Sequence, residues 1–163
     1  IEIVVSIPQL FLIISIAAVV AKPSIFIVMV IIGLTTWTGI ARFTRAELLR
    51  IRNLEFIEAA NALGYKEWRI IVKHALPNAL SPVLIAIAFG IASAILIEST
   101  LSFIGVGVPA ETITWGSMLS KARAVSSAWW LAIIPGFAIF ITVTIYNLIG
   151  EGLTDAMNPK LKK

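Results

Sequence analysis

The sequence predicts an all-α, polytopic membrane helix bundle, and three observations carry that prediction. Hydrophobic residues make up 59% of the chain and charged residues 13%, where a soluble globular domain has about 45–50% and about 25%. The apolar residues gather into runs of the length needed to cross a bilayer, roughly 17–25 residues. The basic residues lie between these runs rather than in a stripe on a soluble fold. The net charge of +4 therefore reports membrane topology and not a nucleic-acid surface.

Four segments meet the length requirement: A over 3–21, B over 24–41, C over 79–97 and D over 129–149. Lys22-Pro23 breaks A from B, the charged stretch 42–77 separates B from C, and the mixed stretch 98–128 separates C from D. Pro8 and Pro135 end or kink their segments, which buried membrane helices tolerate. The distribution of Lys and Arg sets the orientation. Arg42, Arg45, Arg50, Arg52, Lys66, Arg69 and Lys73 lie in stretch 42–77, and Lys160, Lys162 and Lys163 in the tail. Against these ten stand only three, Lys22, Lys121 and Arg123, so stretch 42–77 and the C-terminus are expected in the cytoplasm. An even number of spans brings Ile1 to the same side. Trp37, Trp115, Trp129 and Trp130 fall near the ends of the proposed spans, where amphipathic rings suit the interface. The chain opens inside an apolar stretch with no charged region before it. It reads as starting partway through a larger membrane protein rather than with a signal peptide.

Composition also excludes chemistry. With no cysteine and a single histidine, His74, neither a disulfide, a thiolate nor a histidine-rich metal site is expected. No G-x-x-x-x-G-K-[ST] run occurs, so ATP cannot be held here by a P-loop, and no catalytic residues are expected on this chain. Gly105, Gly107 and Ala110 satisfy G-x-G-x-x-[GA]. That dinucleotide fingerprint requires a preceding strand, and segment C is too long and too apolar to be one.

Stretch 42–77 is long and patterned. Phe56, Ala60 and Leu63 recur at helical spacing, Gly64 interrupts, and Trp68, Ile71, Val72 and Ala75 resume the pattern. This predicts two short amphipathic helices with a bend at Gly64, and Pro77 limits how the second runs into segment C. Arg42, Arg45, Arg50 and Arg52 are expected to form a solvated helical extension of segment B that faces lipid headgroups. Ala59, Ala60, Ala62 and Gly64 leave one side nearly bare, so another backbone can approach, and Glu58 offers it a carboxylate.

Glu58-Ala59-Ala60, three residues, Gly64, then Leu76-Pro77 resembles the EAA signature of the permease subunits of ABC importers, with every spacing kept. His74 stands where the family has Ile. The resemblance implies that loop 53–77 is the coupling loop, with Glu58, Ala59 and Ala60 in a cleft of a separate ATPase, Gly64 at the bend, and Leu76 and Pro77 closing the motif. It implies a single transmembrane domain over 1–163 in the inner membrane of a bacterium or archaeon. The partners it implies are a second homologous permease, two ATP-binding cassette subunits that hold ATP and Mg, and an external substrate-binding protein. No cofactor is expected on this chain. The stretches IESTLSFIGVGVPAETITWGSML and HALPN, and the segment from Trp129 to Pro159, look like the second permease of dipeptide, oligopeptide and nickel importers. Peptide is the substrate this implies, with nickel or another small solute as the alternative and an ion-coupled carrier as the runner-up. Thr154 and Asn158 depart from the family's Arg and Asp. Glu98, at the outer end of segment C, and Asn147, in segment D, are candidates for the translocation path or for structural hydrogen bonds.

Overall fold

A computed structural model describes residues 7–20, 24–109, 111–125 and 127–157, with Ser81 described for its backbone alone. Among the described residues every regular element is helical. Segment A yields α1 (Gln9–Val19) and segment B yields α2 (Ile25–Arg52). The intervening stretch holds α3 (Glu55–Ala62), α4 (Glu67–Ile70) and a π turn (Ile71–Ala75). Segment C yields α5 (Leu76–Ile104), and α6 (Trp115–Ala124) and α7 (Trp130–Met157) follow. The chain is an all-α, multi-pass membrane helix bundle, as its composition predicts.

Three of these helices have the length and apolar composition of a membrane span: Ile25–Arg52, Pro82–Ile104 within α5, and Trp130–Met157. At about 1.5 Å per residue, the 28-residue helices measure about 42 Å, more than a hydrocarbon core of about 30 Å. Only 11% of the apolar window of α7 is buried, leaving Phe137, Phe140, Ile145 and Leu148 on the surface. Such faces are covered by lipid or by another membrane helix, not by water. The fourth expected span corresponds to the 11-residue α1, about 16 Å long and too short alone to cross. The Lys22-Pro23 break, Ala110, Asn158 and the tail lysines lie outside the described residues, as does Ile1.

Helix α2 runs past the apolar segment that ends at residue 41 and through the expected extension that carries Arg42, Arg45, Arg50 and Arg52. Thr35 and Thr36 return their hydroxyls to backbone carbonyls one turn back, so neither presents a free polar group. Past Ala41 the residues are good helix formers, and Glu47 accepts from Arg50 one turn on. Trp37 thus lies inside α2, four residues before the apolar segment ends.

The described chain divides into two compact units. One comprises residues 1–38 and 90–147, and its core joins Ile13 and Ala17 of α1, Val28, Ile31 and Ile32 of α2, Leu101 of α5, and Val108. The other comprises residues 39–89 and 148–163. Its core joins Ile51, Ile57, Ala60, Ile70, Ala75 and Ala79.

Helix α5 ends in a glycine-dependent cap. Gly105 sits at φ +90°, its N–H donates to the Ser102 carbonyl (3.1 Å) and that of Val106 to the Leu101 carbonyl (3.0 Å). These two bonds satisfy carbonyls that a helix end leaves open. Helix α6 then starts from a capping box, in which the Thr114 hydroxyl accepts from the Ser117 N–H and Ser117 Oγ from the Thr114 N–H. This Thr-x-x-Ser signal is what could have revealed α6 within a stretch whose mixed composition showed no helix. The G-x-G pair thus has a mechanical explanation: a helix precedes it, Gly105 caps that helix, and Gly107 packs against Ser102.

Candidate coupling surface

The signature residues lie on the helical hairpin α3–α4 and its junction with α5. Glu55 and Glu58 occupy the first turn of α3, where carboxylates complement the exposed N–H groups and the positive end of the dipole. The helix ends where expected. Gly64 adopts φ +74°, its N–H donates to the Asn61 carbonyl (2.9 Å) and that of Tyr65 to the Ala60 carbonyl (3.2 Å). This is a complete Schellman cap, and its left-handed residue is one that glycine fills without penalty.

The hairpin closes on its own small core. Ile57 and Ala60 of α3 face Ile70 and Ala75, with Ile51 and Ala79 beside them. Two expectations change here. Ala60 is 4% exposed, so it belongs to the hairpin's interior and not to the bare outer face. That face is left to Glu58, Ala59, Ala62 and Gly64, all exposed. The apolar stripe also divides. Ala60 and Ala75 point inward, while Leu63 (71% exposed), Trp68 (63%), Phe56, Ile71 and Val72 lie on the surface. The reason is spacing: Ile57 and Ile70, absent from the stripe, fill the core, and the larger side chains are turned away.

The second helix is also not broken at Pro77. Residues 67–104 run helical throughout, because the π turn absorbs the proline. Proline lacks an N–H and clashes with the carbonyl four residues back in an α ladder. Here the Leu76 N–H already reaches back five residues to the Ile71 carbonyl, so the ladder is widened before Pro77 enters it. Leu76 and Pro77 are both exposed at this junction. His74 lies in the π turn and stacks on Tyr65, ring centroids 6.2 Å apart, while Arg69 lies 4.8 Å from the centre of the Tyr65 ring. An aromatic stack thus occupies the place where the signature has an aliphatic residue.

The two path candidates are not brought together. Glu98 is half-buried on α5 and accepts from Ser102 Oγ (2.7 Å), which itself accepts from the Val108 N–H (3.4 Å). The carboxylate therefore helps tie the turn after α5 to the helix. It also lines a pocket of about 660 Å³ whose other walls are largely apolar, among them Ile32, Ile91, Ile95, Trp115 and Met118. Asn147 is half-buried on α7 and is not among the residues lining that pocket.

The family model of the binding-protein-dependent transport system inner membrane component matches residues 1–163, the whole chain. A putative peptide transport system permease protein of Brucella suis is 45% identical over 123 residues, 75% of this chain and 42% of that protein. The dipeptide transport system permease protein of Alkalihalophilus pseudofirmus is 38% identical over 99% of this chain and 53% of its own length. The oligopeptide transport system permease protein of Haemophilus influenzae is 38% identical over 98% and 51%. The chain thus spans about half the length of these relatives. Matched from end to end, it belongs to the family of binding-protein-dependent transport system inner membrane components.

Proposed function

We propose that the chain is part of the membrane-spanning subunit of an ATP-driven importer of peptides, and that it has no catalytic residues of its own. The observation that carries this reading is the exposed outer face of the hairpin. Glu58, Ala59, Ala62 and Gly64 form its bare part, flanked by Leu63 and Trp68, on a support stiffened by its own core. A flat Ala/Gly surface with one carboxylate and exposed large apolar groups suits a protein partner, because it is cheap to desolvate and offers one charge for orientation. The partners follow: two ATPases that hold ATP and Mg, a second permease, and an external binding protein that delivers the substrate. Peptide is the substrate favoured by the names of the relatives. The seven basic residues of stretch 42–77 support a cytoplasmic position for the hairpin in a bacterial or archaeal inner membrane. On this reading residues 1–163 are one transmembrane domain and 53–77 its coupling loop.

Coupling would arise because the ATPases bind one conformation of the permease more tightly than the other. Two measurements test it. Uptake into membrane vesicles is expected to require ATP and to persist when proton and sodium gradients are dissipated; collapse of uptake with the gradients would leave an ion-coupled carrier. Glu58→Ala, in an exposed position outside the hairpin core, is expected to leave the fold intact. Peptide transported per ATP should fall roughly tenfold, the scale of a charge-assisted hydrogen bond.

The pocket beside Glu98 supports a second role within the same reading. A lone carboxylate in a largely apolar pocket suits the amino terminus of a peptide. Glu98→Gln is then expected to raise KM roughly tenfold for peptides with a free amino terminus. N-acetylated peptides should be unaffected. An equal effect on both would leave Glu98 with its structural bond to Ser102 alone.

A further inference from the structure

The pocket beside Glu98 has one unusual wall residue, Gly33. It lies in the interior of the 28-residue α2, where glycine is the least favoured residue after proline. Neither usual reason for a glycine applies. Its φ is not positive, and a Cβ placed on it meets nothing within 4 Å, so among the described residues neither backbone conformation nor close packing calls for it. What the missing side chain does leave is room in a pocket of about 660 Å³. Met29, Gly33 and Thr36 share one face of α2, and Ile91, Ile95 and Glu98 one face of α5, at helical steps of three and four. Trp115 of α6 adds to the apolar wall. Among the described lining residues Glu98 is the one charged side chain. The bond from Ser102 leaves its carboxylate able to accept further donors.

We propose that this pocket takes the first side chain of the peptide whose amino terminus meets Glu98, and that Gly33 sets the size of side chain admitted. The class selected is peptides that begin with a large apolar residue such as leucine. The peptide's ammonium pairs with the carboxylate, and a large apolar group covers walls that a smaller one would leave unfilled. A first residue with a carboxylate would set its charge against that of Glu98 and is disfavoured. Size selection at Gly33 rests on Glu98 receiving the amino terminus, yet the two can fail separately, because size and charge are read by different variants.

Competition between leucyl-alanine and glycyl-alanine for uptake tests this, in proteoliposomes holding the assembled transporter with its binding protein. The binding protein is the same throughout, so its own preference cancels when variants are compared. Gly33→Leu is expected to lower the ratio of leucyl-alanine to glycyl-alanine uptake roughly tenfold, the scale on which a buried leucine side chain counts, and Gly33→Ala to lower it less. An unchanged ratio would overturn the proposal. So would an equal loss of both peptides, which would mean that Gly33 faces another membrane helix instead. The amino-terminus reading is tested apart from this, by Glu98→Gln with N-acetylated peptides. If Gly33→Leu does not assemble, Gly33→Cys decides. The chain has no cysteine, so a maleimide would label it at position 33 alone. Saturating leucyl-alanine is expected to slow that labelling and glycyl-alanine to leave it nearly unchanged. Equal protection by the two, or protection by neither, would overturn the proposal.

Discussion

Replacing Gly64 with Val is expected to leave the chain in the membrane but to uncouple ATP hydrolysis from transport, while Gly64→Asn stays close to the parent. The reason is conformational rather than steric. A Cβ placed on Gly64 meets nothing within 4 Å, so space is not the constraint. The backbone is: at φ +74° an L-residue with a Cβ is strained by about 1–2 kcal/mol, and a β-branched one by more. Asn enters this region more easily and is the usual substitute for Gly in such caps. Val would relieve the strain by moving out of it, breaking the bonds from Gly64 and Tyr65 and re-aiming α3 against α4. Transport per ATP, measured with the assembled transporter in proteoliposomes, is expected to rank Gly, Asn, Ala, Val from highest to lowest. If Asn were as damaging as Val, crowding by a partner would be the cause and the backbone account would be wrong.

Gly116→Ala is expected to have the largest effect on stability. The added methyl would stand 2.5 Å from the Ser99 carbonyl oxygen and 2.7 Å from its Cα. These are backbone atoms of α5, and they cannot swing aside as the tip of a long side chain could. Gly107→Ala would meet the Ser102 backbone in the same way, 2.6 Å from its nitrogen. Overpacking of this kind costs about 3 kcal/mol at the upper end of its usual range. A lowered thermal midpoint in detergent is the expected reading. Gly136→Ala on α7 is the control: its Cβ would meet nothing within 4 Å, and alanine is the better helix former. A Gly116→Ala midpoint equal to that of Gly136→Ala would show that α5 and α6 do not approach so closely.

Much of this was legible in the sequence, and the exceptions have physical causes. Hydropathy located α2, α5 and α7 because a span must be apolar over its whole length whatever its neighbours are. It did not find their ends, since α2 continues through Arg42 to Arg52 on helix propensity and the Glu47–Arg50 pair, neither of which hydropathy registers. The bend at Gly64 was readable because only one residue type takes that φ without strain. The facing of Ala60 was not readable. An alanine fits a bare outer surface and a tight interior equally well, and the choice was made by Ile57 and Ile70 from outside the pattern.

The π turn has a consequence for how the hairpin's faces relate to the helix that follows. Its extra residue acts as a one-residue insertion in an otherwise regular ladder. The inward-facing positions bear this out, with a step of five from Ile70 to Ala75 and then of four from Ala75 to Ala79. Each residue of an α-helix turns the chain by about 100°. Were the same residues wound as an unbroken α-helix, Ile70, nine positions from Ala79, would lie about 180° from it, and Trp68 would take its inward place. Deleting one residue between Ile71 and Ala75 would instead leave inward steps of four and four, restoring ordinary hydrogen bonding with the hairpin still facing the same way. The irregularity serves as a phase setting, fixing which way the outer face points.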